Sequence, residues 1–338
     1  MASILAAVFS RNTAAAVCFY IIITVLLNAN NVSSFTKSNA FLLSAIPART
    51  CKIYQAKLLS SFDNNPDRRA VIESMLVGSL LSPFMAYAAV RDPKTGILLP
   101  SPGEIASAIP TVWDEDDNPF TSSSSTSFAR LDSSPDTIFY SEPRFVEHVD
   151  VQAVESMTSY ISDRLLQSGD SVLDLCSSWT SHISPSTAQK LKRVAALGMN
   201  AKELEGNPSL TDWTVLDLNA NKDIKLPYEA ASFDVVMCQL SIDYLVHPLE
   251  VMKETARVMK PGGKIAIIFS NRLFLSKAVG LWTGSDDIEH AYTVGSYLHY
   301  SGGGFADIKA EDLSTRRQKG KEQVIVGDPL YVVTATKK

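Results

Sequence analysis

Beyond residue 140 the apolar positions fall into two alternating patterns. Val151, Val154, Met157, Ile161 and Leu165 recur at helical spacing and predict a helix over 151–166, stopped by Gly169-Asp170. Ser171 to Cys176 (SVLDLC) is instead a short apolar run. Runs of the same kind follow at Arg193 to Leu197, Trp213 to Leu218, Phe233 to Cys238 and Lys264 to Phe269. Apolar runs without a polar face suit strands covered on both sides. Between the last two, Leu249, Met252, Ala256 and Met259 mark one face of a helix over 248–259, with Pro248 in its first turn. Pro261-Gly262-Gly263 then turns the chain into the next strand. Two further helical stretches precede a closing pair of strands at Phe305 to Lys309 and Tyr331 to Thr336. Strands alternating with helices predict βαβ units, hence an α/β fold with a doubly wound, mostly parallel sheet.

The first 139 residues follow neither pattern. Ala14 to Leu27 is an apolar run behind Arg11, shorter than the roughly 20 residues of a membrane span and matching the apolar core of a signal peptide. Asn31 to Phe62 is Ser-rich and basic, and no acidic residue occurs before Asp63, which is the composition of an organellar transit peptide. Arg68-Arg69 precedes a modest apolar stretch ending in Ala86-Tyr87-Ala88, a small-x-small cleavage pattern. The Ser34-Phe35 step resembles the bipartite plastid presequences of algae with complex plastids, and the twin-arginine segment resembles a thylakoid-lumen signal. Residues 1–88 are therefore expected to be a targeting presequence, placing the protein in the plastid (chloroplast), with the last segment pointing to the thylakoid lumen. Residues 89–139, rich in Pro, Ser and Asp and including the run TSSSSTS, are expected to be a flexible linker. The folded domain is expected over 140–338, with no stable membrane span in the mature protein.

Charge and cysteine content narrow the chemistry. A net charge of −5 argues against general binding to nucleic-acid phosphates. Four scattered cysteines make neither a disulfide framework nor a zinc cluster, and the five histidines show no metal-ligand spacing, so no metal is expected.

In open α/β sheets, ligands bind beyond the carboxyl ends of the strands. The loops there read, in order, Asp174 with Cys176-Ser177-Ser178-Trp179, Asn200 with Glu203, Asp217-Leu218-Asn219, Leu240-Ser241 with Tyr244, and Ser270-Asn271-Arg272. Together with Leu226-Pro227, Phe233-Asp234-Val235-Val236 and Arg257-Val258-Met259-Lys260-Pro261-Gly262-Gly263, this series resembles the class I S-adenosylmethionine-dependent methyltransferases, of the type-11 branch. The resemblance spans about two hundred residues. It implies a Rossmann-like fold, S-adenosylmethionine as cofactor and a small-molecule methyl acceptor. Asp174 and Ser177 correspond to the first cofactor motif, Asn200 (with Glu203 nearby) to the ribose position, Asp217 and Leu218 to the adenine position, and Leu240 to the loop beside the transferred methyl. The family's glycines after the first strand are replaced here by Cys176, Ser177 and Ser178. The other reading is therefore a non-catalytic binding or assembly protein that keeps the fold. An NAD-type oxidoreductase lacks its G-x-G-x-x-G here, and a serine hydrolase its G-x-S-x-G.

No residue stands out as the catalytic base. His182 and His290 are candidates for approaching a substrate, each weighed against an ordinary structural role, and Arg272 is weighed as a partner for an acidic substrate group or for helix carbonyls. Trp282, Tyr292, Tyr297 and Tyr300 read more simply as core than as a pocket.

Overall fold

The computed structural model describes residues 90–121, 127–320 and 322–338. The targeting segments read over residues 1–88 lie outside this range, apart from which Ala86–Lys338 forms one compact unit.

The apolar runs become the strands of a single seven-stranded sheet. In chain order these are β1 (Ser171–Ser177), β2 (Arg193–Gly198), β3 (Asp212–Val215), β4 (Phe233–Gln239), β5 (Met259–Phe269), β6 (Phe305–Asp312) and β9 (Tyr331–Lys337). Their spatial order is β3-β2-β1-β4-β5-β9-β6. β1 to β5 are parallel, while β9 runs antiparallel between β5 and β6. The doubly wound, mostly parallel α/β sheet expected from these runs is thus what they build. Alternate residues serve two cores, which explains the lack of a polar face. Leu173, Leu175, Val236, Ile265 and Ile267 pack on one side, and Val172, Val235, Met237, Ala266 and Ile268 on the other.

Helix α6 (Pro248–Val258) and helix α7 (Asp287–Tyr300) cover the first side. Helix α3 (Val151–Ser159), prolonged by a wider helical turn over Tyr160–Leu165, covers the second. Two short helices precede it, α1 (Glu104–Ser107) and α2 (Asp136–Phe139); α4 (Pro185–Ala188) and α5 (Ala201–Glu205) lie on either side of β2. Between β5 and the end of α7 only one helix forms rather than two, since residues 270–286 follow an irregular path anchored by side chains. A hairpin of β7 (Arg316–Lys319) and β8 (Glu322–Ile325) interrupts the chain between β6 and β9. Its strand Arg-Arg-Gln-Lys has no apolar alternation, so periodicity does not announce it.

Residues 90–139 correct the expectation of a flexible linker. Ile105 is fully buried in the first core. Trp113 stacks on His299 at 4.7 Å and on Tyr292 at 5.9 Å, and Phe120 stacks on Tyr297 at 5.4 Å. Gly295 makes room for this segment, because a Cβ there would come within 2.6 Å of the Ile109 methyl. Of the anchors, Ile105, Ile109 and Trp113 fall every fourth residue, but Phe120 and Phe128 do not continue that spacing, so the segment as a whole carries no sustained period. The aromatic set on α7 is accordingly packing rather than pocket. Of the run TSSSSTS, residues 122–126 lie outside the described range.

Charged groups complete the docking. Arg272 bonds Asp92 (2.8 Å) and Asp328 (2.7 Å), both buried, so it meets neither a substrate acid nor helix carbonyls. Burial alone would raise the Asp92 carboxyl, but Arg272 and the hydroxyl and amide of neighbouring residues outweigh it and hold the pKa at about 2. Lys277 is 0% exposed, and its Nζ lies 2.8 Å from the Ser134 carbonyl, 3.1 Å from Asp132 and 3.3 Å from Asp136. Arg130 and Asn219 also bond Asp136, each at 2.8 Å. Among the described residues no helix is long and apolar enough to cross a membrane.

Removing one partner of a buried charge network leaves the others uncompensated. Lys277→Met is therefore expected to lower unfolding free energy by on the order of 3 kcal/mol, measured by denaturant titration of tryptophan fluorescence.

Candidate active site

A cleft opens at the carboxyl ends of β1, β2 and β4, where the connections leave the sheet in opposite directions. Asp174, Ser177, Asp217, Leu218 and Leu240 line it, so these five sequence candidates come together. Asn200 does not line it.

Asp174 is buried at the middle of β1. Its carboxylate accepts hydrogen bonds from Ser177 Oγ (2.6 Å), Ser181 Oγ (2.6 Å) and Gln239 Nε2 (3.2 Å). Burial pushes its pKa up, and these three donors and the nearby His182 oppose that shift. The Ser177 hydroxyl is therefore spent inside the loop. Its neighbour Ser178 donates to Glu203 (2.6 Å), and Trp179 Nε1 donates to the Val146 carbonyl (3.2 Å).

The missing glycines leave a trace in the backbone. Cys176, the first of the residues read as replacing glycines, adopts φ 55°. This left-handed region suits glycine and is costly for a side chain. His182 (φ 49°) and Leu240 (φ 50°) share it, so three such residues border one cleft. Strain of this kind collects at functional sites when surrounding contacts over-determine it. Gly198 is irreplaceable at the facing strand end, since a Cβ would fall 2.2 Å from the Ser177 carbonyl oxygen. On the far side Cys238 lies across from Leu175, next to Cys176. A hydrogen bond with Cys176, then burial, push the Cys238 thiol well above its ordinary value.

Asn200 has become a helix cap. Its side-chain oxygen accepts from the amides of Lys202 and Glu203, and its nitrogen donates to the carbonyls of Tyr140 (2.9 Å) and Ser141 (3.2 Å). That exhausts an amide. Glu203, one turn on, faces the cleft, accepting from Ser178 and from the Arg144 amide (2.6 Å), and each of its oxygens keeps a lone pair. Asp217 takes the Asn219 amide (2.8 Å) and lines the cleft beyond β3.

His182 lines the cleft between Gln239 Oε1 (2.7 Å) and Glu147 (3.1 Å). His290 does not. It is buried against Trp282, with ring centroids 4.1 Å apart.

Two groups escaped the sequence reading. Asp243, in the turn after β4, is buried beside the Tyr244 hydroxyl, and one of its oxygens has no hydrogen-bond partner. Burial pushes its carboxyl up to about 8, against its own backbone amide and Tyr244. The signal was an acid inside an otherwise apolar turn (Ser-Ile-Asp-Tyr-Leu). The second is the wall formed by Tyr140, Arg144, Val146 and His148, which comes from the segment before α3.

Residues 177–267 match the family described as a methyltransferase domain. Among curated relatives, 27-O-demethylrifamycin SV methyltransferase of Amycolatopsis mediterranei is 29% identical over 126 residues, covering 34% of this chain and 45% of that protein. The mitochondrial 2-methoxy-6-polyprenyl-1,4-benzoquinol methylase of Caenorhabditis elegans is 34% identical over 67 residues, covering 20% and 22%. The chain thus spans less than half the length of each. Among solved structures, a SAM-dependent methyltransferase from Aquifex aeolicus shares 18% identity over 60% of this chain and 97% of its own, with a TM-score of 0.37. The [4+2]-cyclase SpnF shares 16% over 53% and 79%, with a TM-score of 0.38. The segment that matches the methyltransferase domain family runs from the end of β1 into β5 and so contains most of the strand ends that border the cleft.

A carboxyl whose folded pKa exceeds its unfolded value holds a proton that the unfolded chain releases, so stability falls as pH rises between the two values. For Asp243 that window runs from the ordinary 3.8 to about 8. We expect Asp243→Asn to flatten this decline, so that the variant gains on the native chain as pH is raised from 4 to 8. Denaturation midpoints across that range measure it.

Proposed function

We propose that the cleft binds S-adenosylmethionine and promotes transfer of its methyl group to a small-molecule acceptor. The observation that supports this best is the placement of three acids, Asp174, Glu203 and Asp217, along one cleft, in β1, in α5's first turn and beyond β3, the last two within the segment that matches the methyltransferase family. Glu203 has lone pairs for a ribose diol and Asp217 for an exocyclic adenine amine, and both line the same cleft. The bound cofactor would supply an activated methyl group. The chain's part is alignment and exclusion of water.

The acceptor side lies beyond β4 and β5, at Leu240, Ser241, Tyr244 and Phe274. Two of the relatives carry O-methylation in their names, acting on a demethylrifamycin and on a malonyl-carrier protein. An oxygen acceptor must lose a proton; burial holds the Tyr244 phenol protonated, so it can take that proton only by handing its own to the Asp243 carboxylate behind it. With an acidic chain and no nucleic-acid-recognition module, a small molecule fits better than a nucleic acid.

Calorimetry of the purified chain with S-adenosylhomocysteine tests the reading. Binding is expected, weakened roughly tenfold or more by Glu203→Ala and by Asp217→Ala as each removes a hydrogen-bonded carboxylate. No binding of either S-adenosylmethionine or S-adenosylhomocysteine would favour a non-catalytic protein on the same fold. We further propose plastid localisation, on the composition of residues 1–88. A fluorescent fusion to those residues should accumulate in plastids of a complex alga; retention in the cytosol or secretion would contradict it.

A further inference from the structure

The charged groups of the cleft are divided along the sheet. Glu203 and Asp217 follow β2 and β3, on the side assigned above to the cofactor. Beyond β4 and β5 the wall is aromatic, with Tyr140, Tyr244 and Phe274 lining the cleft and Phe139 behind them. The Arg144 guanidinium stands among these rings, 4.4 Å from the centroid of Phe139, 5.6 Å from Phe274 and 5.7 Å from Tyr140.

Arg144 is the one lysine or arginine lining the cleft among the described residues. The neighbouring His148 gives no second charge, since burial, and then Arg144 itself, push its pKa below the ordinary value. One guanidinium nitrogen donates to the Phe139 carbonyl (2.9 Å), but among the described residues no carboxylate lies within ion-pair distance. The two acids that line the cleft from the same stretch of chain are committed elsewhere: Glu147 to His182, and Asp136 to Arg130, Lys277 and Asn219. A guanidinium has five N–H donors in a planar fork that matches a carboxylate. Ring contacts hold its plane and leave most of those donors unspent.

We propose that the acceptor is a planar aromatic compound carrying an anionic group, its ring against the Tyr244–Phe274 wall and its anion on the Arg144 fork. The proposal rests on the cofactor reading of the same cleft. Arg144 is a specificity-determining residue in it: it selects acceptors by charge and turns the ring so that a hydroxyl at the other end faces the Leu240–Tyr244 turn.

The test is calorimetry of the full chain with 4-hydroxybenzoate and its neutral isostere 4-hydroxybenzamide, with and without saturating S-adenosylhomocysteine. The benzoate is expected to bind roughly tenfold or more tighter than the amide, as a site built for a charged partner discriminates against its loss. Arg144→Gln should erase that preference, Arg144→Lys should keep part of it, and S-adenosylhomocysteine affinity should change less than about twofold in either variant, because residue 144 bonds Glu203 through its backbone amide, which both variants keep, and not through the side chain. Equal affinity of the native chain for benzoate and amide, or no binding of either, overturns the proposal. So does a loss of S-adenosylhomocysteine affinity in Arg144→Gln, which would assign the fork to the cofactor's own carboxylate. The comparison of benzoate with amide needs no variant to fold. Its arm without S-adenosylhomocysteine separates a failure here from a failure of the cofactor reading.

Discussion

A carboxylate buried within a central strand must collect donors, and Asp174 dictates much of what surrounds it. No positive side chain bonds it, so its charge is balanced by three hydrogen bonds, from Ser177, Ser181 and Gln239. The first of those donors ends β1, the second lies in the loop after it, and the third ends β4. The loop is folded back over the strand end, and the two strands are joined across the mouth of the cleft. Ser181 in turn accepts from Asn207 (2.9 Å), which also bonds the Ser178 carbonyl, extending the same network to the chain after α5. Serines thus achieve by side-chain bonding the tight loop that glycines achieve by conformational freedom.

That substitution has a cost and a use. The left-handed conformation at Cys176 is retained although a Cβ opposes it. In exchange the loop gains fixed polar atoms and the Trp179 contact to Val146, which ties it to the wall on the opposite side of the cleft. Ground-state rigidity of this kind favours a site whose parts need to be aligned before a ligand arrives.

The sheet was legible because its physics is local. Runs such as Val172 to Leu175 and Val235 to Cys238 have no polar face, and only a strand between two cores explains that. The acids Asp174 and Asp217 were legible for the same reason, their place following from the strands. What was hidden arises from tertiary contact. Asn200 and Glu203 sit three residues apart at the start of one helix, and which of them faces the cleft depends on carbonyls of Tyr140 and Ser141 that only the folded chain presents. Lys277 looks like a surface lysine until Asp132 and Asp136 arrive from a segment whose composition reads as linker. Asp243 carries no spacing signal, because its unusual proton affinity comes from burial alone.

The two halves of the cleft have different origins. The sheet supplies the side with Asp174, Gly198 and Asp217, whereas Tyr140, Arg144, Val146 and His148 belong to a strap laid over it and fastened through Asp136 to Lys277 and through Asp92 to Arg272. Such a division lets the strap drift in sequence without disturbing the strands, provided its fasteners are kept. Selectivity and scaffold are then separately heritable, and diversification within this lineage should be concentrated between residues 137 and 148 rather than along the parallel strands.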